Sequence, residues 1–208
     1  MSDPQLICVT GADGAGKTTQ IVRLAERLER GAGKKVAVVT VWDLLLDPET
    51  QDLLAFEEPA QVDRYLSILS PTSRALFMFH CLLQALELGK RKGADVLLLN
   101  SYWYKYYATE VAHGGDVEVL RWLATVFPPP DRTFYLRLSP EAAAERKAVL
   151  SGYETGFAKP RSKEAFVAFQ RPAHDALEAL AEELDWTAVD ANLDQKEQTE
   201  LLLAAIDA

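Results

Sequence analysis

The chain has 208 residues, of which 49% are hydrophobic, and this apolar content is sufficient for the core of one α/β domain. Its net charge is −9, because 31 Asp and Glu residues outnumber 22 Lys and Arg residues. Such an acidic chain is a poor candidate for sequence-independent nucleic-acid binding, although a local positive site can still hold a nucleotide. The sequence shows neither a signal peptide nor a membrane-spanning apolar run. We therefore expect a cytoplasmic protein without nucleic-acid or membrane partners.

The predicted elements alternate between strand and helix from the N-terminus onward. This alternation predicts a three-layer α/β fold with a five-stranded parallel sheet flanked by helices, forming one domain over 1–208. The run over 94–99 is continuously apolar and is predicted as the central strand. A turn and a helix start are predicted over 47–49. Strands are predicted over 6–10, 35–41, 94–99, 132–138 and 185–190, and helices over 19–28, 60–69, 72–88, 116–127, 140–150, 163–184 and 194–206.

The strongest functional signal follows the first predicted strand, where residues 11–18 read GADGAGKT. The spacing matches G-x-x-x-x-G-K-[ST], the phosphate-binding loop (P-loop) of nucleotide enzymes, and the flanking strand and helix are the context that it requires. Glycines permit positive φ and let backbone N–H groups face phosphate oxygens, and the helix N-terminus adds positive potential. We assign nucleotide binding to Asp13, Gly14, Ala15, Gly16, Lys17, Thr18 and Thr19.

Two side chains of the P-loop carry the expected donor chemistry. Lys17 places a positive charge on the β- and γ-phosphates of ATP, and the hydroxyl of Thr18 is a ligand for Mg²⁺. ATP and Mg²⁺ are therefore the cofactors that the sequence predicts.

Candidate acceptor residues follow the carboxyl ends of the predicted strands, where ligands bind in open parallel sheets. Asp43 follows the second strand, and its alternative role is a helix cap or turn residue. After the third strand, residues 100–107 read NSYWYKYY, an unusual concentration of aromatic side chains around Lys105. Phe77, on the long helix, is either a base-stacking residue or part of the core.

These motifs together resemble the thymidylate kinases, a family of nucleoside monophosphate kinases. The P-loop is very close to that of the family, and residues 76–77 (LF) stand where the family has Leu-Phe before a base-binding arginine. Residues 100–102 (NSY) stand at the family's Asp-Arg-Tyr or Asp-Arg-His, and residues 190–192 (DAN) resemble its turn beside adenine. The resemblance implies ATP binding near Asn192 and a lid over about 147–163. The cations of this lid, among them Arg146, Lys159 and Arg161, would close over the transferring phosphoryl group. The alternative is that these charges belong to a solvated loop.

The departures from the family pattern concern the acceptor. The family's Arg-Glu-Pro stretch is replaced by residues 41–43 (VWD), its base-reading Arg by Cys81, and its Asp-Arg pair by Asn100 and Ser101. Arginine is the usual bidentate ligand of phosphate, so two donors to the acceptor are missing. Lys105 and Arg74 are the nearest replacement cations, and Asn100 can still hydrogen-bond a water of Mg²⁺. Tyr102 and Lys105 lie three residues apart and are predicted to share a helix face.

The sequence thus predicts a thymidylate-kinase-like phosphotransferase that acts on a nucleoside monophosphate or related small molecule, with dTMP as a poor acceptor. Two alternatives remain open. One is a kinase of nucleoside hydroxyls with Asp43 as base, and the other is an ATP-binding module without catalysis. We assign acceptor binding to Asp13, Asp43, Arg74, Phe77, Asn100, Tyr102 and Lys105, and metal binding to Thr18 and Asn100; a homodimer is one assembly that we consider.

Overall fold

A five-stranded, all-parallel sheet forms the centre of the computed structural model, which describes residues 3–43, 56 and 58–207. The strands are β1 (Gln5–Gly11), β2 (Val36–Val39), β3 (Val96–Asn100), β4 (Arg132–Arg137) and β5 (Thr187–Asp190), in the order β2-β3-β1-β4-β5. The predicted five-stranded parallel sheet is confirmed. The prediction that β3 is central is wrong, because β1 occupies the middle and pairs with both β3 and β4. The P-loop that follows β1 therefore begins at the centre of the sheet's carboxyl edge.

Eight α-helices flank this sheet in the described ranges. The predicted helix over 140–150 ends at Arg146, because Lys147 adopts an extended backbone. A helix that includes Tyr102 and Lys105 begins directly after Ser101. None of the helices in the described ranges is long and apolar enough to cross a membrane, and the elements predicted over 47–49 lie outside those ranges. The helices are α1 (Lys17–Ala32), α2 (Pro59–Ile68), α3 (Pro71–Arg91), α4 (Tyr102–Ala112), α5 (Val117–Ala124), α6 (Pro140–Arg146), α7 (Lys163–Glu183) and α8 (Gln195–Asp207).

Alternating side chains of β1 divide the apolar core into two layers. Ile7 and Val9 face one side of the sheet, where they join a cluster that includes Leu24 of α1. Leu6 and Cys8 face the other side, in a cluster with side chains of α3, α4 and α7. Because successive residues of a strand point to opposite faces, an apolar strand buried on both sides produces this division. The sheet is therefore held rigidly from both faces, and the P-loop is attached to its most enclosed strand.

Candidate active site

Three glycines of the P-loop, Gly11, Gly14 and Gly16, have positive φ and define its conformation. Gly11 ends β1 with φ of 144°, and a Cβ atom there would lie 2.6 Å from the carbonyl oxygen of Leu136 on β4. Gly16, with φ of 93°, is the N-cap of α1 and makes no side-chain capping hydrogen bond. The first backbone N–H groups of α1 therefore donate no hydrogen bond to an N-cap side chain. This is the backbone arrangement that binds the phosphates of a nucleotide.

Lys17 lies buried at the start of α1, with its ammonium group folded back onto the loop. Its Nζ atom donates to the carbonyl oxygen of Ala12 at 2.8 Å and lies 3.9 Å from a carboxylate oxygen of Asp13. Burial lowers the pKa of Lys17 to about 8; Asp13 opposes this shift, whereas Lys105 and Lys147 reinforce it. The local contacts therefore stabilise the charge incompletely, and phosphate oxygens would supply the missing counter-charge.

Asp13 and Lys105 form an ion pair that joins the P-loop to α4. Lys105 Nζ donates to Asp13 Oδ1 at 2.6 Å, and both side chains are largely buried. Burial alone would raise the pKa of Asp13, but Lys105 and Lys17 outweigh it and lower the pKa to about 2. Burial likewise opposes the charge on Lys105, but Asp13 raises the pKa of that ammonium group above its ordinary value. Both groups are therefore charged at neutral pH.

A cleft of about 570 Å³ opens beside the P-loop at the carboxyl edge of the sheet. Three lysines from separate parts of the chain line it, namely Lys17, Lys105 and Lys147. Lys147 also donates to Glu154 at 2.6 Å, and this pair comes from the segment over 147–163, which we call the lid segment. The remaining described lining residues are Asp13, Gly14, Gly16, Thr18, Thr19, Thr40, Val41, Trp42, Asp63, Leu66, Met78, Asn100, Ser101, Tyr106, Ser151, Tyr153 and Glu154.

A second cavity, of about 400 Å³, lies beside the same loop and shares Gly14, Gly16 and Thr19 with the cleft. Arg146 lines it and donates to the carbonyl oxygen of Ala191 at 3.1 Å and to Asn192 Oδ1 at 2.9 Å. The structure therefore brings these two predicted site residues together, but beside this second cavity. Two cavities therefore adjoin the P-loop, which suits a reaction between two bound molecules.

Arg74 and Tyr102 are not available to an acceptor, contrary to our expectation. The Nε atom of Arg74 donates to both carboxylate oxygens of Glu110, at 2.8 and 3.0 Å, and the side chain is buried. The hydroxyl of Tyr102 donates to the carbonyl oxygen of Pro128 at 2.9 Å inside the core. The predicted joint contact of Tyr102 with Lys105 is wrong, because Lys105 turns toward Asp13.

Asp43 and Phe77 also make local contacts in the structure. Asp43 accepts hydrogen bonds from the backbone N–H and the hydroxyl of Thr40, at 2.8 and 3.1 Å, which is the turn alternative. Phe77 packs edge-on against Tyr65, with 5.3 Å between ring centroids. Neither is among the described residues that line the cleft. Trp42, directly before Asp43, does line it.

Two of the predicted lid cations face away from the P-loop. Lys159 and Arg161 line an outer groove on α2, where Arg161 Nη2 lies 3.3 Å from Asp63 Oδ2. The cation of the described lid segment that lines the cleft is Lys147, which sequence reasoning did not single out. Its position immediately after α6, at the start of the predicted lid, was the available signal. Trp42 could have been found by the strand-end rule that selected Asp43.

The fold and this arrangement define a class of protein. A P-loop at the carboxyl edge of a parallel sheet, adjoined by a lysine-lined cleft and a second cavity, is the architecture of a P-loop phosphotransferase. The chemistry of this class depends on positioning and charge neutralisation, and the site supplies groups for both.

Comparison with known proteins identifies the family within that class. The family model for thymidylate kinase matches residues 9–201. A probable thymidylate kinase 1 from Saccharolobus solfataricus is 30% identical over 68% of this chain and 69% of its own length. A thymidylate kinase from Thermoanaerobacter sp. is 33% identical over 69% of this chain and 70% of its own, and one from Gloeobacter violaceus is 27% identical over 97% and 93%. The chain belongs to the thymidylate kinase family and is a nucleoside monophosphate kinase-like, ATP-dependent phosphotransferase.

Proposed function

We propose that this protein transfers the γ-phosphoryl group of ATP to a nucleoside monophosphate or a related small anionic molecule, and that dTMP is a poor acceptor. The observation that carries the proposal is the convergence of Lys17, Lys105 and Lys147 in the cleft beside the P-loop. The same cleft is lined by three carboxylates, those of Asp13, Asp63 and Glu154, and the ammonium groups of Lys105 and Lys147 are paired with two of them. An acceptor that carries its own negative charge would supply phosphate or carboxylate oxygens as new partners for these ammonium groups.

On the donor side, the P-loop N–H groups and Lys17 hold the β- and γ-phosphates of ATP. Lys17 would exchange its contact with the Ala12 carbonyl for phosphate oxygens. We assign the adenine end of ATP to the second cavity, which Arg146 and Ala191 line and where Arg146 donates to Asn192 in the turn after β5. Lys147 stabilises the charge that spreads over the transferring group.

The described residues fit Mg²⁺ in the manner of a phosphate-bound ion. Thr18 and Asn100 line the same cleft and offer a hydroxyl and an amide oxygen, which are ligands of the type that Mg²⁺ prefers. The described part of the chain contains no group of three His, Cys, Asp or Glu side chains able to hold a metal ion. An ion that takes most of its ligands from phosphate and water needs no such group. When bound, Mg²⁺ neutralises charge on the β- and γ-phosphates.

The acceptor side supports the exclusion of dTMP. Cys81, at the position of the family's base-reading arginine, is buried and offers only a thiol. Ser101, at the position of its phosphate-binding arginine, has a short side chain whose hydroxyl contacts Asn100 at 3.2 Å. Each lost charge-assisted contact weakens binding by about 1.5–3 kcal/mol, or roughly ten- to a hundredfold. Lys105 and Lys147 replace charge but lack the bidentate geometry of arginine.

The hydroxyl-acceptor alternative has weaker support. It requires a carboxylate beside the acceptor hydroxyl, and Asp43 is engaged with Thr40. Only a measurement of catalytic activity distinguishes the other alternative, a non-catalytic ATP-binding module, from a kinase.

An ADP-release assay at saturating ATP·Mg²⁺ tests the proposal, with a panel of nucleosides, nucleoside monophosphates and other phosphorylated or carboxylated small molecules. We expect ADP release with at least one anionic acceptor and slow release with dTMP. Efficient dTMP phosphorylation would refute the exclusion of dTMP. Turnover with an uncharged nucleoside alone would favour the hydroxyl kinase, and no turnover despite ATP binding would favour the binding module.

A further inference from the structure

A buried polar cluster connects the body of the protein to the lid segment, residues 147–163. At its centre, the carboxylate of Glu110 on α4 accepts hydrogen bonds from two side chains. One donor is the Nε atom of Arg74 on α3, and the other is the hydroxyl of Tyr153 in the lid segment, at 2.9 Å. The side chains of Arg74 and Glu110 are 4% and 0% exposed. Arg74 also donates to the carbonyl oxygens of Leu66 and Leu69, at 3.4 and 3.1 Å, at the end of α2. Three helices and the lid segment therefore share one set of hydrogen bonds.

Further contacts fix the same part of the lid segment. The backbone N–H of Tyr153 donates to Asp63 of α2 at 3.1 Å. The guanidinium carbon of Arg74 lies 5.4 Å from the ring centroid of Phe157. The ring of His113, directly after α4, stacks on that of Tyr153 with 5.5 Å between centroids. Aromatic and charged contacts thus hold both sides of residues 153–157.

The residue after Tyr153 reaches into the cleft. Glu154 accepts from Lys147 Nζ at 2.6 Å and from the backbone N–H of Ser151 at 3.0 Å. Its carbonyl oxygen accepts from Gln170 of α7 at 3.0 Å. The positive charge of Lys147 lowers the pKa values of both Asp13 and Lys17, so its ammonium group acts electrostatically on the P-loop. A continuous series of contacts runs from Glu110 through Tyr153 and Glu154 to Lys147.

A buried ion pair is weak evidence for a role in stability, because the desolvation of both charges offsets their attraction. Such a pair does fix geometry, since each partner strongly disfavours any arrangement that leaves it buried alone. We propose that Arg74, Glu110 and Tyr153 are positioning residues that hold the lid segment over the cleft and keep Lys147 beside the P-loop.

Two conservative substitutions test this role. Tyr153→Phe keeps the ring and removes only the hydroxyl, and Glu110→Gln keeps the shape and removes the charge. Tyr107→Phe is the matched control, because its hydroxyl also belongs to a buried residue of α4 but contacts Arg121, at 3.2 Å. We expect both test variants to raise amide hydrogen exchange over 147–156 about tenfold, with β1 and β3 unchanged. The control should leave this exchange unchanged.

The kinetic measurement is ADP release with the best acceptor of the panel. We expect kcat to fall about tenfold in Tyr153→Phe and Glu110→Gln, with ATP affinity within about twofold of wild type. The double variant should lose little more than the stronger single variant, because both changes break the same series of contacts. Unchanged exchange over 147–156, or losses in kcat that only follow Tm and appear equally in Tyr107→Phe, would overturn the proposal. The exchange experiment needs no acceptor, so its outcome is independent of the proposed acceptor class.

Discussion

The two cavities beside the P-loop are built in different ways. On the proposed donor side, backbone geometry determines the shape: three glycines with positive φ form the loop, and α1 begins directly after the last of them. On the acceptor side, the cleft depends on side chains that come from distant parts of the sequence, such as Lys105 and Asp13, which are 92 residues apart. The first construction constrains the residue types closely, whereas the second can be assembled from many sequences. We infer that the donor site is the fixed part of this enzyme and the acceptor site the variable part.

The largest expected effect comes from removing the donor-side charge. Lys17→Ala should lower ADP release by about 10²–10³-fold or more, because it deletes the ammonium group that stabilises the transferring phosphoryl group. The fold should persist, since the lowered pKa of Lys17 shows that its buried charge is not a source of stability. Thermal unfolding and calorimetry with a non-hydrolysable ATP analogue check both points. A wild-type protein that fails to bind ATP at millimolar concentration would contradict the donor site itself.

The next largest effect distinguishes the acceptor site from the ATP site. Lys105→Met keeps most of the side chain and removes the charge, so acceptor affinity should fall about ten- to a hundredfold while ATP affinity stays nearly unchanged. Lys90→Met, at an exposed pair with Glu87 on α3, is the control and should change neither. Acceptor titrations at saturating ATP measure this. Unchanged acceptor affinity in Lys105→Met would favour the hydroxyl kinase with Asp43 as base.

A third, smaller effect is that the affinity for ATP should depend on pH through the protonation of Lys17. The pKa of Lys17 is about 8 in the folded protein without nucleotide, below its ordinary value of 10.5. Bound phosphates would raise it again, so ATP binding should take up protons near pH 8.5, and affinity should be about tenfold lower at pH 9 than at pH 7. Between pH 8 and 10.5 the unfolded chain binds more protons at this residue, so its contribution to the free energy of unfolding rises with pH.

Calorimetry in buffers of different ionisation enthalpy measures the proton uptake. Stability measurements on wild type and Lys17→Met isolate the contribution of this residue. Absence of proton uptake at pH 8.5 would show that Lys17 is fully charged before ATP arrives.

The smallest effects are expected at the outer lid cations. Lys159→Ala and Arg161→Ala should change kcat by less than about threefold, because both side chains are exposed and line the outer groove, where Arg161 pairs with Asp63, and neither lines the cleft. Lys147→Met, in contrast, should lower kcat about tenfold. A hundredfold loss in Arg161→Ala would mean that the lid segment closes further during the reaction and that the cations predicted from the sequence do act on it.

The sequence predicted the fold and the strand and helix that flank the P-loop, and it did so for a physical reason. The alternation of apolar strands and amphipathic helices is a local property, and so are the glycines of residues 11–18. The strand order was not predicted, since pairing between β1 and β3 is a long-range property. The pairing of Arg74 with Glu110 was not predicted, because Glu110 is 36 residues away and the local sequence pattern does not indicate it. Lys147 was missed because its direction depends on where α6 ends.

Arg146 and Lys147 are neighbours in the chain, yet their side chains face different cavities. One peptide unit therefore separates the charge beside the proposed adenine site from the charge beside the proposed acceptor site. A rotation of this peptide would move both charges and would couple the two binding events. We expect ATP and the acceptor to alter each other's affinity through this single backbone junction, in equal measure in both directions.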